Sequence, residues 1–121
     1  MQSHKDLNVW KQSMEFVAKI YKLTREFPIE EQYGLSSQMR RSAISIPCNI
    51  AEGAARNSKK EYIQFLYISL GSLAEIETQL DIAKRLDYIA NSQDLSDYVI
   101  EIRRMLLGLI AYVAKKKNVS K

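Results

Sequence analysis

Residues 38–60 read QMRRSAISIPCNIAEGAARNSKK, and this stretch decides the fold. Met39, Ala43, Ile46 and Ile50 recur at helical spacing and share one face. Pro47 lies inside that pattern; it removes one backbone hydrogen bond and bends the helix, at a cost of about 3 kcal/mol unless packing compensates. Gly53 offers an end, and the spacing predicts a helix over about 36–55, opening near Ser36 or Ser37. Ser58 and Glu61 then stand at the spacing of a capping box, in which each side chain satisfies the other's backbone N–H. A second helix therefore opens at about residue 59 and runs to 86.

The same periodicity extends outward in both directions. Upstream, a helix is predicted over about 6–26, capped by Asp6 and stopped by Pro28. It carries two adjacent apolar stripes, Leu7-Trp10-Met14-Val17-Tyr21 and Val9-Phe16-Ile20-Leu23-Phe27. Downstream, a helix over about 95–115 gathers Leu95, Val99, Ile102, Leu106, Leu109 and Val113 on one broad face, with Ile100 and Leu107 outside it. Short connections make neighbouring helices antiparallel, so the expected fold is all-α, an up-and-down four-helix bundle occupying 1–121 as one domain.

The helix over 59–86 is apolar on most of its circumference. Leu66, Leu73, Ile76 and Leu80 form one stripe, while Ile63, Tyr67, Leu70 and Ala74 form another. Three partner helices leave one of these faces wet. Ile44, Ile63, Tyr67 and Leu70 are therefore expected at a contact between copies of the chain.

Composition narrows the class further. The chain has 121 residues, 46% hydrophobic and 26% charged, which suits one folded domain rather than a disordered one. No apolar run approaches the roughly 18 residues that span a bilayer. The opening MQSHKDLNVWKQ lacks the apolar centre of a secretory signal, and one cysteine makes no internal disulfide, so a cytoplasmic location is expected. The only histidine, His4, has no second metal-ligating residue at useful spacing, and the isolated glycines make no phosphate loop. Di-iron bundles need Glu-x-x-His motifs on two helices, which this chain lacks. No catalytic residue, metal or cofactor is expected, and Cys48 reads as a small packing residue.

Net charge is +4, with cations in small groups. Those at helix ends oppose the negative end of the helix dipole, but Arg56, Lys59 and Lys60 stand at a helix start, where the dipole disfavours them. Arg56, Lys59, Lys60, Arg103, Arg104, Lys115, Lys116 and Lys117 are the candidate nucleic-acid contacts, acting through phosphates. Arg40 and Arg41 point to different faces, so they form no single patch. Arg40, Glu75 and Glu77 are read as a network fixing helix or subunit register, with Asn49, Glu52 and Gln79 as further partners for the arginines.

Several motifs are shared with a known family. They include Asp6-Leu7-x-Val9-Trp10, Phe27-Pro28, Glu31-x-Tyr33-Gly34-Leu35 and Gln38-x-Arg40-Arg41-Ser42. Ser45-Ile46-Pro47-x-Asn49-Ile50-Ala51-Glu52-Gly53, Phe65-Leu66, Gly71-Ser72-x-x-Glu75 and Glu77-Thr78-Gln79-Leu80 continue the series in order. Through them the chain resembles the bacterial four-helix bundle proteins encoded in intervening sequences of 23S rRNA genes. The fourth helix matches only as an amphipathic segment, and Cys48 stands where Ser or Ala is expected. The resemblance implies a ring-like homopentamer and similarity to accessory proteins of diversity-generating retroelements, which bind nucleic acid. It implies no reaction. Two roles follow as expectations: an oligomer that binds structured RNA or DNA, or a structural adaptor whose partner is another protein.

Overall fold

A computed structural model describes residues 3–116. Its four helices are α1 (Asn8–Thr24), α2 (Leu35–Ala54), α3 (Lys59–Arg85) and α4 (Gln93–Lys115). Short 3-10 turns at His4–Asp6 and Ile29–Glu31 precede α1 and α2, and the described residues contain no strand. Each helix packs on the next, and α4 closes back onto α1. Contacts between helices give their directions. Thr24 at the end of α1 meets Arg40 near the start of α2. Ile46 of α2 meets Ser69 of α3, and Ser45 meets Ser72. Glu77 of α3 meets Arg103 of α4, Lys59 meets Ala114, and Glu15 of α1 meets Tyr98 of α4. Lys19 of α1 also meets Asp94 of α4. In α2–α3, α3–α4 and α1–α4 one residue number rises as the other falls, and the end of α1 meets the start of α2, so the bundle is up-and-down.

The predicted inward faces are the buried ones. Phe16, Ile20, Met39, Ile46, Ile50, Leu66, Leu73, Ile76, Ile102 and Leu106 are fully enclosed. Of α1's two stripes, the one through Val9, Phe16, Ile20 and Phe27 supplies the core; in the other, Leu7, Trp10 and Val17 pack partly buried against it and Met14 is exposed. Removing these side chains from water is the main stabilising term, roughly 1.5–3 kcal/mol for each large one.

Local capping departs from the sequence reading in three places. Asp6 does not cap α1; its carboxylate accepts the Ser3 N–H at 3.2 Å, closing a small 3-10 turn, and α1 starts after Leu7. α2 begins at Leu35, whose N–H is held by Glu31 Oε1 at 3.0 Å, so neither Ser36 nor Ser37 is its cap. That hydrogen bond, and a second from the Tyr88 hydroxyl, hold the Glu31 carboxyl below the usual carboxylate range. The capping box at α3 is half made. Ser58 Oγ accepts the Glu61 N–H at 3.0 Å, but the Glu61 carboxylate turns to Arg56 instead. α4 starts two residues earlier than expected, at Gln93.

Gly53 does not end α2, which continues to Ala54. Its role is close approach: a Cβ there would lie 2.9 Å from Phe65 Cβ and 3.1 Å from the Tyr62 carbonyl oxygen. After α3 the chain turns through Asp87, at φ 61°, with Tyr88 N–H donating to Ala83 O and Asp87 N–H to Lys84 O. This is a Schellman ending, with aspartate in the position usually held by glycine.

Candidate functional site

The start of α3 and the end of α4 form one end of the bundle. Lys59 joins them: its Nζ donates to Ala114 O at 3.0 Å and to Lys116 O at 2.8 Å. The last carbonyls of a helix have no partner within it and carry the negative end of its dipole. A lysine at the start of α3, unfavourable for its own helix, is thereby matched to the end of its neighbour. Sequence reasoning missed this because the two ends are 55 residues apart.

Arg56, Lys59, Lys60, Lys115 and Lys116 are thus brought to the same end. Arg56 sits between Glu52 at 2.7 Å and Glu61 at 3.5 Å, with its guanidinium over the Phe65 ring. Lys116 lies over the Tyr112 ring. Lys60 and Lys115 are exposed and have no ion-pair partner among the described residues. Arg103 and Arg104 belong elsewhere, about three turns back along α4. Arg103 pairs with Glu77 of α3 at 2.6 Å, and Arg104 pairs with Glu101 on its own helix. Lys117 lies outside the described residues.

The expected register network is rearranged. Arg40 does pack: its Nε donates to Thr24 Oγ1 at 2.8 Å and its guanidinium covers the Tyr21 ring. Glu77 joins α3 to α4, not to the arginines of α2. Asn49 donates to Ser45 within α2, and Glu52 takes Arg56. Glu75 is exposed beside a polar cleft between α2 and α3, lined also by Gln38, Arg41, Ser42 and Gln79, with Ser45 and Ser72 hydrogen-bonded to each other at 2.8 Å. Sequence reading did not assemble this cleft. Its signal on α3 was Ser72 and Gln79 breaking the apolar pattern.

Apolar side chains remain on the outside. Ile44 is 38% and Tyr67 56% exposed, while Ile63 and Leu70 are half-buried against the core. Ile100 and Leu107 on α4 are 59% and 48% exposed. A shallow groove between α1 and α2 is lined by Trp10, Met14, Val17, Ile44, Pro47 and Cys48. Cys48 is exposed on that groove, not packed as expected.

Among the described residues, no group of three His, Cys, Asp or Glu is placed to hold a metal ion. No helix of the described residues is long and apolar enough to cross a membrane. The fold and surface define a class: an all-helical four-helix bundle with cations and apolar side chains on its outside. Over residues 5–108 the chain matches the family described as 23S rRNA-intervening sequence protein, and it belongs to that family. A crystal structure of a protein of unknown function from the S23 ribosomal protein family of Bacteroides thetaiotaomicron VPI-5482 is similar, with 30% identity and a TM-score of 0.78. The alignment covers 85% of this chain and 95% of that one. Among curated proteins there is no match. Neither similarity names an enzymatic activity.

Proposed function

We propose that the chain is a non-enzymatic, self-assembling bundle that holds structured RNA or DNA, through phosphates, at the end where α3 begins and α4 ends. The observation carrying this reading is the Lys59 bridge, which gathers the cations of two helix ends on one surface. Assembly rests on the outward apolar side chains, above all Tyr67, Ile100 and Leu107. The family resemblance suggests a ring of five. Five copies at +4 carry about +20, which turns a weakly basic subunit into a strong attractor of polyanions.

The test combines mass and affinity. Light scattering gives a multiple of the 14.0 kDa chain mass; a monomer rejects self-assembly. Affinity for a structured RNA falls steeply between low and moderate salt, and Lys60→Ala with Lys115→Ala flattens that dependence. Lys59→Ala is a poorer probe, because it also uncaps α4.

One observation favours a second reading, an adaptor for a protein partner. Arg56, Arg103 and Arg104 already face carboxylates within the subunit, which neutralises three of the candidate contacts. An oligomer that binds no RNA at low salt supports the adaptor.

A further inference from the structure

Ile44 and Tyr67, grouped by sequence at one contact between copies, lie on opposite sides of the bundle. The helices pack in the cyclic order α1, α2, α3, α4, so the α1–α2 and α3–α4 faces are back to back. Ile44 lines the α1–α2 groove with Trp10, Met14, Pro47, Cys48 and Ala51. Tyr67 stands about 200° round α3 from Ser69, whose hydroxyl meets α2. Leu107 stands about 180° round α4 from Tyr98, whose hydroxyl meets α1. Both exposed side chains therefore belong to the α3–α4 face.

The two apolar faces stand at the same height. Ser69 Oγ on Ile46 O makes those residues level, so in antiparallel helices Cys48 is level with Tyr67. The groove spans Ile44 to Ala51 of α2, and the outer apolar positions of α3 span Ile63 to Ala74. Their midpoints differ by about one residue's rise, about 1.5 Å. One turn on from Arg103, which pairs with Glu77, Leu107 falls within the same span. The shapes also suit each other, since Pro47, Cys48 and Ala51 are small where Tyr67 is bulky. Residue size further makes the cross-section a wedge. α2 and α3 meet through Gly53, Ser45, Ser69 and Ser72, whereas long side chains bridge α1 and α4, Lys19 to Asp94 and Tyr98 to Glu15.

We infer that the α1–α2 groove of one copy receives the α3–α4 face of the next, both copies pointing the same way. This rests on the self-assembly proposed above and names its two surfaces. A second copy brings the matching face at the matching height, which an unrelated partner has no reason to do. A two-fold contact between like faces covers one apolar patch and leaves the other wet. A contact between unlike faces covers both, and with no rise between copies it closes instead of climbing into a filament, the thin α2–α3 edges inward. Every copy then turns the start of α3 and the end of α4 to the same side. Lys60 and Lys115 of neighbouring copies thus build one continuous basic face.

Two variants each block one face. Ile44→Lys spoils the groove and Leu107→Lys the surface that enters it; the native side chains are 38% and 48% exposed, so the fold tolerates both, and circular dichroism checks this. By light scattering the native chain is a multiple of 14.0 kDa and each variant alone is a monomer. Mixed in equal amounts, the variants form a complex of two chains and no larger, because one sound groove meets one sound face. Cys48, the only cysteine, gives an independent reading. With Tyr67→Cys added, a short bis-maleimide joins chains into covalent species of three or more, while the native chain stays unlinked. A variant that pairs with itself, or linking of the native chain into dimers through Cys48, overturns the inference. So does an assembled native chain whose mixed variants fail to pair and whose Tyr67→Cys form fails to link. A monomeric native chain rejects self-assembly itself, and this contact with it.

Discussion

α3 has two neighbours, and it meets them in different ways. Against α2 the surfaces are small and close. Gly53 lets the backbones approach, and Ser69 Oγ donates across the seam to Ile46 O at 2.9 Å. Ser45 and Ser72 also bond directly from helix to helix. Against α4 the polar connections are at the edge: the Glu77–Arg103 pair partway along and Lys59 on the last carbonyls of α4. Large apolar side chains, Tyr67 and Leu107 among them, stay exposed on α3 and α4. A seam closed by glycine and serine leaves little room for another molecule except where polar groups hold the cleft open. The outer surfaces of α3 and α4 are left for a contact beyond the subunit.

Substitution at the two surfaces should separate these modes. Gly53→Ala has the largest effect, a loss of roughly 1–3 kcal/mol, because the added methyl must displace Phe65 Cβ and the Tyr62 carbonyl. Urea unfolding measures it, and an unchanged midpoint means that the α2–α3 seam is looser than described. The same replacement at Gly108 on α4, where a Cβ meets nothing within 4 Å, gains about 0.5–1 kcal/mol from helix propensity. Opposite signs for one chemical change are the sharpest form of the comparison. Glu77→Gln has the smallest effect, a loss of about 0.5 kcal/mol or less that shrinks further in salt, since the pair is half-exposed. A larger loss would move Glu77 from the edge of the α3–α4 seam to its centre.

Most of the fold was legible because it depends on local spacing. The stripe Met39-Ala43-Ile46-Ile50 is buried as its periodicity requires, and Ile100 and Leu107 stand outside the core face as their wheel positions predict. Pro47 did not end α2, and the helix runs through it. The capping details were less legible. Ser58 caps α3 as expected, but Glu61 had a competing partner in Arg56 that spacing alone does not rank. Among the candidate contacts, the pattern flagged Arg56 and Lys59 as anomalous for a helix start. Glu52, four residues before Arg56, was a partner that local spacing offers for the first, whereas nothing local shows that the end of α4 answers the second. The polar cleft was the least legible part, since Arg41 and Glu75 come to line one cleft only once α2 and α3 are packed.

By itself the sequence determined four amphipathic helices, their inward faces and a modest positive charge, because a 3.6-residue period and a charge sum need no knowledge of neighbours. Tertiary structure alone decided that Lys59 and Arg103 are engaged, why Gly53 admits no side chain and where Gln79 is left without a partner. Those outcomes depend on atoms brought within a few ångströms from distant parts of the chain, and no local pattern encodes that distance.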